Sequence, residues 1–342
     1  MSGQQRPTLE MVAKRAGVGR GTVSRVINGS ASVSELTRNA VLGAVADLGY
    51  VPNHAARTLV TRRTDMVALV VSEPHERIFA EPFFAQVIKG VSAALSERDL
   101  QLLLTMVASA QERERAGQFL TSEHVDGVLL LSEHRDDPLP GWLTEAGMPC
   151  VHGGRPLGRE GASYVDIDNT GGGRMATRHL VDRGCGRIGT IAGPQDMVAG
   201  VERLHGYQQA LREAGREPDP GLVAVGDFSY EGGERAMREL LSARPEVDGL
   251  FVASDLMASA ALRVLREEHR RVPEDVAVVG HDDFTIAMHA EPPLTTMHQP
   301  AERMGHEMAR LLAEGLAGTG RAAAAEPAAV VLDTHLVQRE SA

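Results

Sequence analysis

Short apolar runs alternate with amphipathic stretches through most of the chain, and this alternation restricts the possible folds more than any other feature of the sequence. Short runs rich in valine, isoleucine and leucine predict buried strands, and the amphipathic stretches between them predict helices. Repeated strand–helix units predict parallel sheets whose faces are covered by helices. The predicted strands are 66–71, 100–106, 125–131, 150–153, 188–192, 222–225, 249–253 and 276–280, and the predicted helices are 83–97, 111–122, 140–147, 170–183, 202–214, 231–243 and 255–268.

The strand–helix units fall into two series that join near residues 164–168, which predicts two α/β lobes. A final helix over 300–316 and a last strand over 329–332 would let the chain cross back between the lobes. We therefore predict a two-lobe core over 64–342. Its lobe one would comprise about 64–164 plus 297–324, and its lobe two about 165–294 plus 325–342.

Residues 8–29 have the pattern of two short helices joined by a glycine-bearing turn. Thr8 is a predicted N-cap and Gly17 a predicted C-terminal stop, and the first helix has an apolar stripe at Leu9, Val12, Ala13 and Ala16. The second helix would direct Val18, Val23, Val26 and Ile27 inward and leave Arg20, Gly21, Thr22, Ser24 and Arg25 on its leading and outward face. This pattern predicts a helix-turn-helix, whose second helix enters the DNA major groove; a generic two-helix corner with solvated arginines is the alternative.

A third helix is predicted between Ser34, which would cap it, and Gly49, which would end it. Its predicted inward face comprises Leu36, Ala40, Val41, Ala44, Val45 and Leu48. Three helices make an all-α headpiece over residues 1–52. The linker over 53–63 has one or two turns of helical pattern and almost no apolar face, so it would become ordered only against another surface.

The charge of the chain is divided unequally between head and body. Residues 1–63 hold nine Arg/Lys and three Asp/Glu, whereas the remainder holds 26 basic and 43 acidic residues, which gives the whole chain its net charge of −11. A basic head on an acidic body is expected when only the head meets phosphate.

Other classes of protein find little support in the sequence. No run approaches the length of a membrane-spanning helix and the N-terminus lacks a signal peptide's apolar segment, so we expect a cytoplasmic protein without a membrane partner. Cys150 and Cys185 form neither a disulfide framework nor a metal set, and the 13 histidines show no ligand spacing. Because no nucleophile–base set or phosphate loop is present, we expect no catalytic activity, metal or cofactor.

Several short motifs occur in a characteristic order along the chain. They are Ala16-Gly17-Val18, Thr22-Val23-Ser24-Arg25-Val26, Asn28 and Leu48-Gly49-Tyr50-Val51-Pro52-Asn53 in the head, and Val165-Asp166-Ile167-Asp168-Asn169, Ala192-Gly193-Pro194, Arg203, Gly280-His281-Asp282-Asp283 and Pro292-Pro293-Leu294-Thr295-Thr296 with Gln299 in the body. Their order and spacing resemble the lactose-repressor (LacI/GalR) family of transcription regulators over essentially the whole chain. The resemblance implies a headpiece, a hinge helix and a two-lobe core like that of the periplasmic binding proteins.

The resemblance also implies a DNA-binding surface. Arg20 and Gly21 would read bases, since an arginine that pairs with both guanine acceptors is worth roughly 1–3 kcal/mol of discrimination. Arg25 would also contact a base, and Thr22 and Ser24 would contact phosphates. Leu59 would wedge into the minor groove and kink the duplex. Thr8, Asn28, Asn53 and Ala56 complete the implied surface, with Asn28 bracing its loop or meeting the DNA backbone.

The head departs from the family pattern at two positions. Met11 stands where an acid is common, so Glu10, one position early, would supply only dipole stabilisation. Gly19 replaces the usual serine and is an N-cap without a side-chain acceptor. We therefore expect a slightly weaker headpiece with one fewer phosphate contact.

A cleft between the lobes is the effector site that the resemblance implies. Arg203 and Asp282 match the family's effector-binding pair, Phe228 takes the aromatic position, and Phe84 and Gln299 complete the predicted set. Ser254 stands where asparagine is frequent and Gly154 where aspartate is frequent, so smaller side chains would leave room for a disaccharide. For Phe79, Phe83 and Phe84, which follow the first strand, core packing and ligand stacking both stay open.

Together these features predict a homodimeric, ligand-responsive regulator that binds a palindromic double-stranded DNA operator. A repressor of carbohydrate-use genes, released by a mono- or disaccharide, is the function we favour from the sequence. A regulator that answers to a purine or another metabolite, or whose ligand acts as a co-repressor, is the alternative, because the fold does not determine the ligand.

Overall fold

The computed structural model describes residues 7–27, 32–50, 63–159, 161–319 and 327–342, and the chain divides into two compact units between Thr64 and Asp65. The predictions for Asn28, Asn53, Ala56 and Leu59 lie outside the described residues.

The first unit contains three helices, α1 (Leu9–Ala16), α2 (Arg20–Ile27) and α3 (Glu35–Leu48). The predicted caps are confirmed, since the Thr8 side chain accepts a bond from the Met11 amide and Gly17 adopts φ 67°. The small core of this unit comprises Val12, Ala13, Val23, Val26, Val41, Ala44 and Tyr50. The inward placement of Leu36 and Ala40 was wrong: both are exposed, Leu36 to 84%, because α3 packs through Val41 and Ala44 and turns these two positions toward solvent.

The second unit is built on two six-stranded sheets. The first sheet has the strand order β11-β5-β4-β3-β1-β2 with every neighbouring pair parallel. The second sheet has the order β12-β10-β9-β8-β6-β7, parallel except for the β10–β12 pair. The strands are β1 (Met66–Val71), β2 (Gln101–Met106), β3 (Gly127–Leu131), β4 (Cys150–Gly153), β5 (Tyr164–Ile167), β6 (Ile188–Ala192), β7 (Val223–Val225), β8 (Gly249–Val252), β9 (Ala277–Asp282), β10 (Thr295–His298), β11 (Ala329–Leu332) and β12 (His335–Val337).

Helices cover these sheets as the strand–helix alternation predicted. They are α4 (His75–Ala80), α5 (Pro82–Ser96), α6 (Ala110–Thr121), α7 (Leu139–Glu145), α8 (Asn169–Asp182), α9 (Val198–Glu213), α10 (Tyr230–Ala243), α11 (Asp255–Glu267), α12 (Thr285–Met288) and α13 (Ala301–Thr319). Helix α13 packs closely on α5 because each contributes a glycine: a Cβ at Gly90 would collide with the Glu302 carbonyl, and one at Gly305 with the Val87 carbonyl. No helix in the described ranges is both long and apolar enough to cross a membrane.

The predicted lobe boundaries were partly wrong. Residues 164–167 form a strand of the first sheet, where a connection between the lobes was expected, and β11 pairs with that strand. The last residues are therefore shared, since β11 belongs to the first sheet and β12 to the second. A sequence pattern identifies a short strand more readily than the sheet it joins, because its partner is chosen by contacts that are distant along the chain.

The corrected topology places the lobe crossings beside one another. The chain passes from the first sheet to the second after β5, returns after β10, and crosses again after β11. Hereafter lobe one is the first sheet with its covering helices and lobe two the second. Asn169 follows the first crossing strand and Gln299 the second, so both lie where the lobes meet.

Candidate functional site

The outward face of α2 presents the predicted base-reading side chain to solvent. Arg20, Gly21 and Arg25 are exposed, and Thr22 and Ser24 are half-buried, because Val23 and Val26 on the other face fill the core of the head. The structure therefore places five of the predicted DNA-binding residues on one short helix, and Thr8 at the N-cap of α1.

Glu10 forms an ion pair with the next helix that the sequence did not predict. Its Oε1 lies 3.0 Å from Nη1 of Arg20, with the two side chains 61% and 74% exposed. The pKa of the Glu10 carboxyl lies below its usual value because its own backbone amide and the Thr8 hydroxyl bond it and Arg20 attracts it. Arg20, the predicted base-reading residue, is thus paired with an acid of the preceding helix. For that acid, Glu10, the sequence predicted only stabilisation of the α1 dipole.

In the second unit a cavity of about 300 Å³ lies between the two lobes. All six predicted effector residues line this cavity: Phe84, Arg203, Phe228, Ser254, Asp282 and Gln299. They converge because they follow, or lie near, the carboxyl ends of parallel strands, the edge at which open α/β sheets form ligand crevices.

Arg203 is the central polar group of the cleft. It is 4% exposed, and its guanidinium donates to Asn169 Oδ1 at 2.8 Å, to the Ala253 carbonyl at 2.6 Å and to Gln299 Oε1 at 2.7 Å. Its Nη1 lies 3.6 Å from Asp282 Oδ1. A buried guanidinium needs such partners, because an unpaired buried charge is strongly unfavourable. Sequence reasoning missed Asn169, although its motif was recognised.

Two carboxyl groups lie side by side behind Arg203. Asp282 Oδ2 accepts from the Asp255 amide, and Asp255 accepts from the Thr296 hydroxyl and the Asp283 amide. Burial raises the pKa of both carboxyls, and mutual repulsion raises that of Asp255 further, while Arg203 opposes the rise at Asp282. Asp282 also has φ 132°, a left-handed conformation that an aspartate rarely adopts. Such local strain is commonly found at ligand sites.

Aromatic side chains supply the apolar part of the cleft. Phe228, with φ 67°, points toward Gly193, where a Cβ would collide with its ring. Arg77 lies 5.2 Å and Arg203 5.8 Å from the centre of that ring. Phe84 packs in the core of lobe one and also lines the cavity, so core packing is confirmed for it and ligand stacking stays a prediction. Phe83 also lines the cavity, whereas Phe79 is 76% exposed and is not among the lining residues.

Local structure accounts for the small side chains at Ser254 and Gly154. Ser254 Oγ caps α11 by accepting from the Met257 amide at 3.2 Å. Gly154 has φ 105°, so any other side chain there would be strained. Both residues line the cleft, and whether they leave room for a larger ligand stays a prediction.

A group of charged residues on the lobe one side of the cleft was missed entirely. Arg77, in the unpredicted helix α4, donates to Glu73 at 2.6 Å and to Glu81 at 2.7 Å. Burial raises the pKa of Glu81 to about 7 against the opposing attraction of Arg77. Helix α4 has only six residues and no clear apolar period, so no sequence signal marked it.

Two family models match this chain. The model of the bacterial regulatory proteins of the lacI family matches residues 8–53, and that of the periplasmic binding protein-like domain matches residues 177–342.

Relatives extend the match over the whole length. The HTH-type transcriptional regulator CelR of Thermobifida fusca is 63% identical over all of both chains. The HTH-type transcriptional repressor PurR of Escherichia coli O139:H28 is 34% identical, covering 98% of this chain and 96% of its own.

Solved structures agree with these matches. A transcriptional regulator CelR–cellobiose complex superposes with a TM-score of 0.80 at 62% identity, covering 98% of this chain and 100% of the other. A lac repressor dimer bound to operator and the anti-inducer ONPF superposes with a TM-score of 0.82 at 26% identity, covering 98% and 99%. The helix-turn-helix head, the two-lobe core and these similarities together place the chain in the LacI family of bacterial transcription regulators.

Proposed function

We propose that this chain represses carbohydrate-use genes and is released from its operator by cellobiose or a disaccharide of similar shape. The observation that carries the proposal is the ring of planar polar groups around Arg203, set beside Phe228 in a cavity of about 300 Å³. The 62% identical structure that holds cellobiose supports the choice of sugar.

Sugar recognition needs two kinds of surface, and the cleft has both. Guanidinium, amide and carboxylate groups form paired hydrogen bonds with hydroxyls, and aromatic rings cover the apolar faces of the sugar. Arg203, Asp282 and Gln299 supply the first kind, and Phe228 and Phe84 the second. The small residues Ser254 and Gly154 leave space for a second sugar ring.

The DNA-binding role is assigned to the head. Arg20 and Arg25 would contact base edges from α2, and Thr22 and Ser24 would contact phosphates. Gly21 would leave room for a neighbouring base, and Thr8 and Asn28 would lie against the DNA backbone. A homodimer would place two heads about one helical turn apart on a palindromic operator. Such a regulator would act in the cytoplasm, beside the DNA, by binding alone.

The two functions would be coupled by a population shift. Sugar binding favours one arrangement of the lobes, and the linker over 53–63 then loses the surfaces that order it as a hinge helix. Asn53, Ala56 and Leu59 belong to that linker, so their predicted DNA contacts would be lost together.

Calorimetric titration of the full chain with cellobiose, lactose, maltose and guanine tests the ligand. We expect binding of cellobiose and a thermal stabilisation that grows with its concentration, because a ligand of the folded state stabilises by mass action. Binding of guanine with no response to any disaccharide would contradict the proposed sugar and identify a purine as the effector.

A Leu59→Ala variant tests the operator contact. We expect weaker specific binding and a smaller DNA bend in a circular-permutation gel assay. An unchanged bend angle would contradict the minor-groove wedge.

A further inference from the structure

Direct contacts join the two lobes along one rim of the cleft. In lobe one, the loop after β3 carries His134 and Arg135; in lobe two, the loop after β6 carries Asp196. His134 Nδ1 lies 2.7 Å from Asp196 Oδ2, and the Arg135 amide donates to the Asp196 carbonyl at 2.8 Å. One residue of lobe two is therefore bound through both its side chain and its backbone by consecutive residues of lobe one.

The ion pair continues into the interior of lobe one. The other nitrogen of His134, Nε2, lies 3.4 Å from Glu73 Oε1. Glu73 is 2% exposed and also accepts from Ser132 Oγ at 2.6 Å and from Arg77 at 2.6 Å. Asp196, His134, Glu73 and Arg77 therefore form a chain of alternating charge that begins in lobe two and ends in the buried part of lobe one.

Arg77, at the inner end of this chain, contacts lobe two again. Its guanidinium lies 5.2 Å from the centre of the Phe228 ring and 4.0 Å from Met197 Sδ. Arg77, His134 and Arg135 line the cavity, whereas Asp196 is not among its lining residues. Asp196 is thus placed to act on the position of the lobes without contacting a ligand.

We propose that Asp196 and His134 are positioning residues that hold the lobes together over a bound effector and so limit the rate at which the effector leaves. The proposal rests on the proposed function for the identity of the probe, cellobiose. An exposed ion pair alone contributes little, and Asp196 is half-exposed. His134 is anchored from behind by the buried carboxylate of Glu73, so its ring is oriented before Asp196 approaches and less ordering is needed to form the contact.

The test variant is Asp196→Asn in the full chain. We expect cellobiose to dissociate about three- to tenfold faster, with an association rate that changes much less, because a contact between the lobes must break before an enclosed ligand can leave. Stopped-flow intrinsic fluorescence or surface plasmon resonance with cellobiose measures both rates. Asp196→Glu retains the carboxylate and should restore most of the slow dissociation.

Asp182→Asn is the matched control. The Asp182 side chain is 57% exposed, against 52% for Asp196, and it pairs at 2.8 Å with Arg178 of its own helix, away from the other lobe. This control should leave both rates unchanged. In a double-mutant cycle, Asp196→Asn should add little to His134→Asn, because each substitution breaks the same contact.

Unchanged cellobiose dissociation in Asp196→Asn, or effects that add fully in the cycle, would overturn the proposal. If the wild-type chain does not bind cellobiose, the proposed ligand is wrong. Small-angle X-ray scattering of the ligand-free protein then tests the contact between His134 and Asp196. Asp196→Asn should then show a larger radius of gyration than the wild type and Asp182→Asn. An identical scattering profile for all three would overturn the proposal on that route.

Discussion

The recognition helix and the cleft use arginine in opposite ways. Arg20 of the head is 74% exposed and has one carboxylate partner, whereas the Arg203 side chain is 5% exposed and is bound on three sides by groups of the protein. An arginine that reads bases must exchange its partner for a guanine edge, so it gains from being solvated and movable. An arginine that positions a small ligand gains from being held before the ligand arrives, because less ordering is then needed on binding.

The difference implies that Arg203 contributes to the stability of its unit, whereas Arg20, at the surface of the head, contributes little to stability. Substitutions at the two positions should therefore separate stability from recognition.

Arg203→Met should unfold the second unit more easily, by about 3–5 kcal/mol, and abolish cellobiose binding. The substitution removes one member of a buried charged set and leaves Asp282 without its cation, along with Asn169 and Gln299 without their donor. Urea unfolding followed by circular dichroism measures the loss. Arg178→Met, on the same lobe but 54% exposed, should stay within about 0.5 kcal/mol of the wild type. Equal stability of the two variants would show that Arg203 is not structural.

Arg20→Ala should leave the stability of the head unchanged and reduce discrimination at one operator base pair by roughly 1–3 kcal/mol. Its partner Glu10 is exposed, so loss of their ion pair costs little. Binding of the variant to a panel of operators, each altered at one position, measures the effect. Equal weakening on every operator would instead identify Arg20 as a phosphate contact.

Thr8→Ala should destabilise the head by about 1 kcal/mol, because it removes the side-chain acceptor of the first helix. Thermal unfolding of the full chain, monitored on the transition of the first unit, gives this value. Thr8→Ser retains the acceptor and serves as the control. A loss of the same size in the serine variant would exclude the cap as the cause.

Cellobiose affinity should weaken by a few fold as the pH rises from 8 to above 9. The hydrogen bond to buried Glu73, together with that to Asp196, raises the pKa of His134 to about 9 against the effect of burial. Glu73 has the larger effect, although Asp196 is nearer, because Glu73 is buried and Asp196 is half-exposed. Because the pKa of His134 is raised in the folded protein, the charged imidazole stabilises the contact fully below the ordinary histidine pKa of 6.5. This stabilisation is lost as the pH rises through about 9.

Most of the other titrating groups near the cleft lie outside this pH window. Glu81, with a pKa of about 7, and Asp282 change charge at lower pH, while burial raises the pKa of Cys150 to about 12. Burial and the repulsion of Asp282 raise the pKa of Asp255 to about 8, but its titration is common to the wild type and Asp196→Asn. Asp196, Glu73 and the neighbouring Arg77 are the charged groups that face His134. Calorimetry at pH 8 and 9.5 should show the change in the wild type and much less of it in Asp196→Asn. The same decline in both would contradict this assignment.

The sequence predicted the parts of this molecule that depend on local pattern. The caps at Thr8 and Gly17 and the alternation of strands and helices follow from local pattern, and the six cleft residues follow from the resemblance to the family. Most of the cleft residues converge because they lie at or just after the carboxyl ends of parallel strands, an edge that the local strand pattern already predicts.

What was missed depends on contacts between distant segments. Strand β5 has four residues and takes its place only because β4 and β11 pair with it. Arg77 lies in the short helix α4 and His134 in a loop, and neither segment has a periodic pattern. Their role follows from Glu73, which is buried beside them, and from Asp196 of the other lobe. The Glu10–Arg20 pair likewise joins two helices at an angle that their sequences do not specify.

Operator affinity with and without cellobiose tests most directly whether the cleft controls the head. Fluorescence anisotropy of a labelled operator should be titrated with the wild-type chain in the absence of sugar and in saturating cellobiose. We expect the dissociation constant to rise by about tenfold or more with the sugar, within the usual range of allosteric coupling, and to be insensitive to the sugar in Arg203→Met. An operator affinity that is unchanged or strengthened by cellobiose in the wild type would contradict release by the sugar.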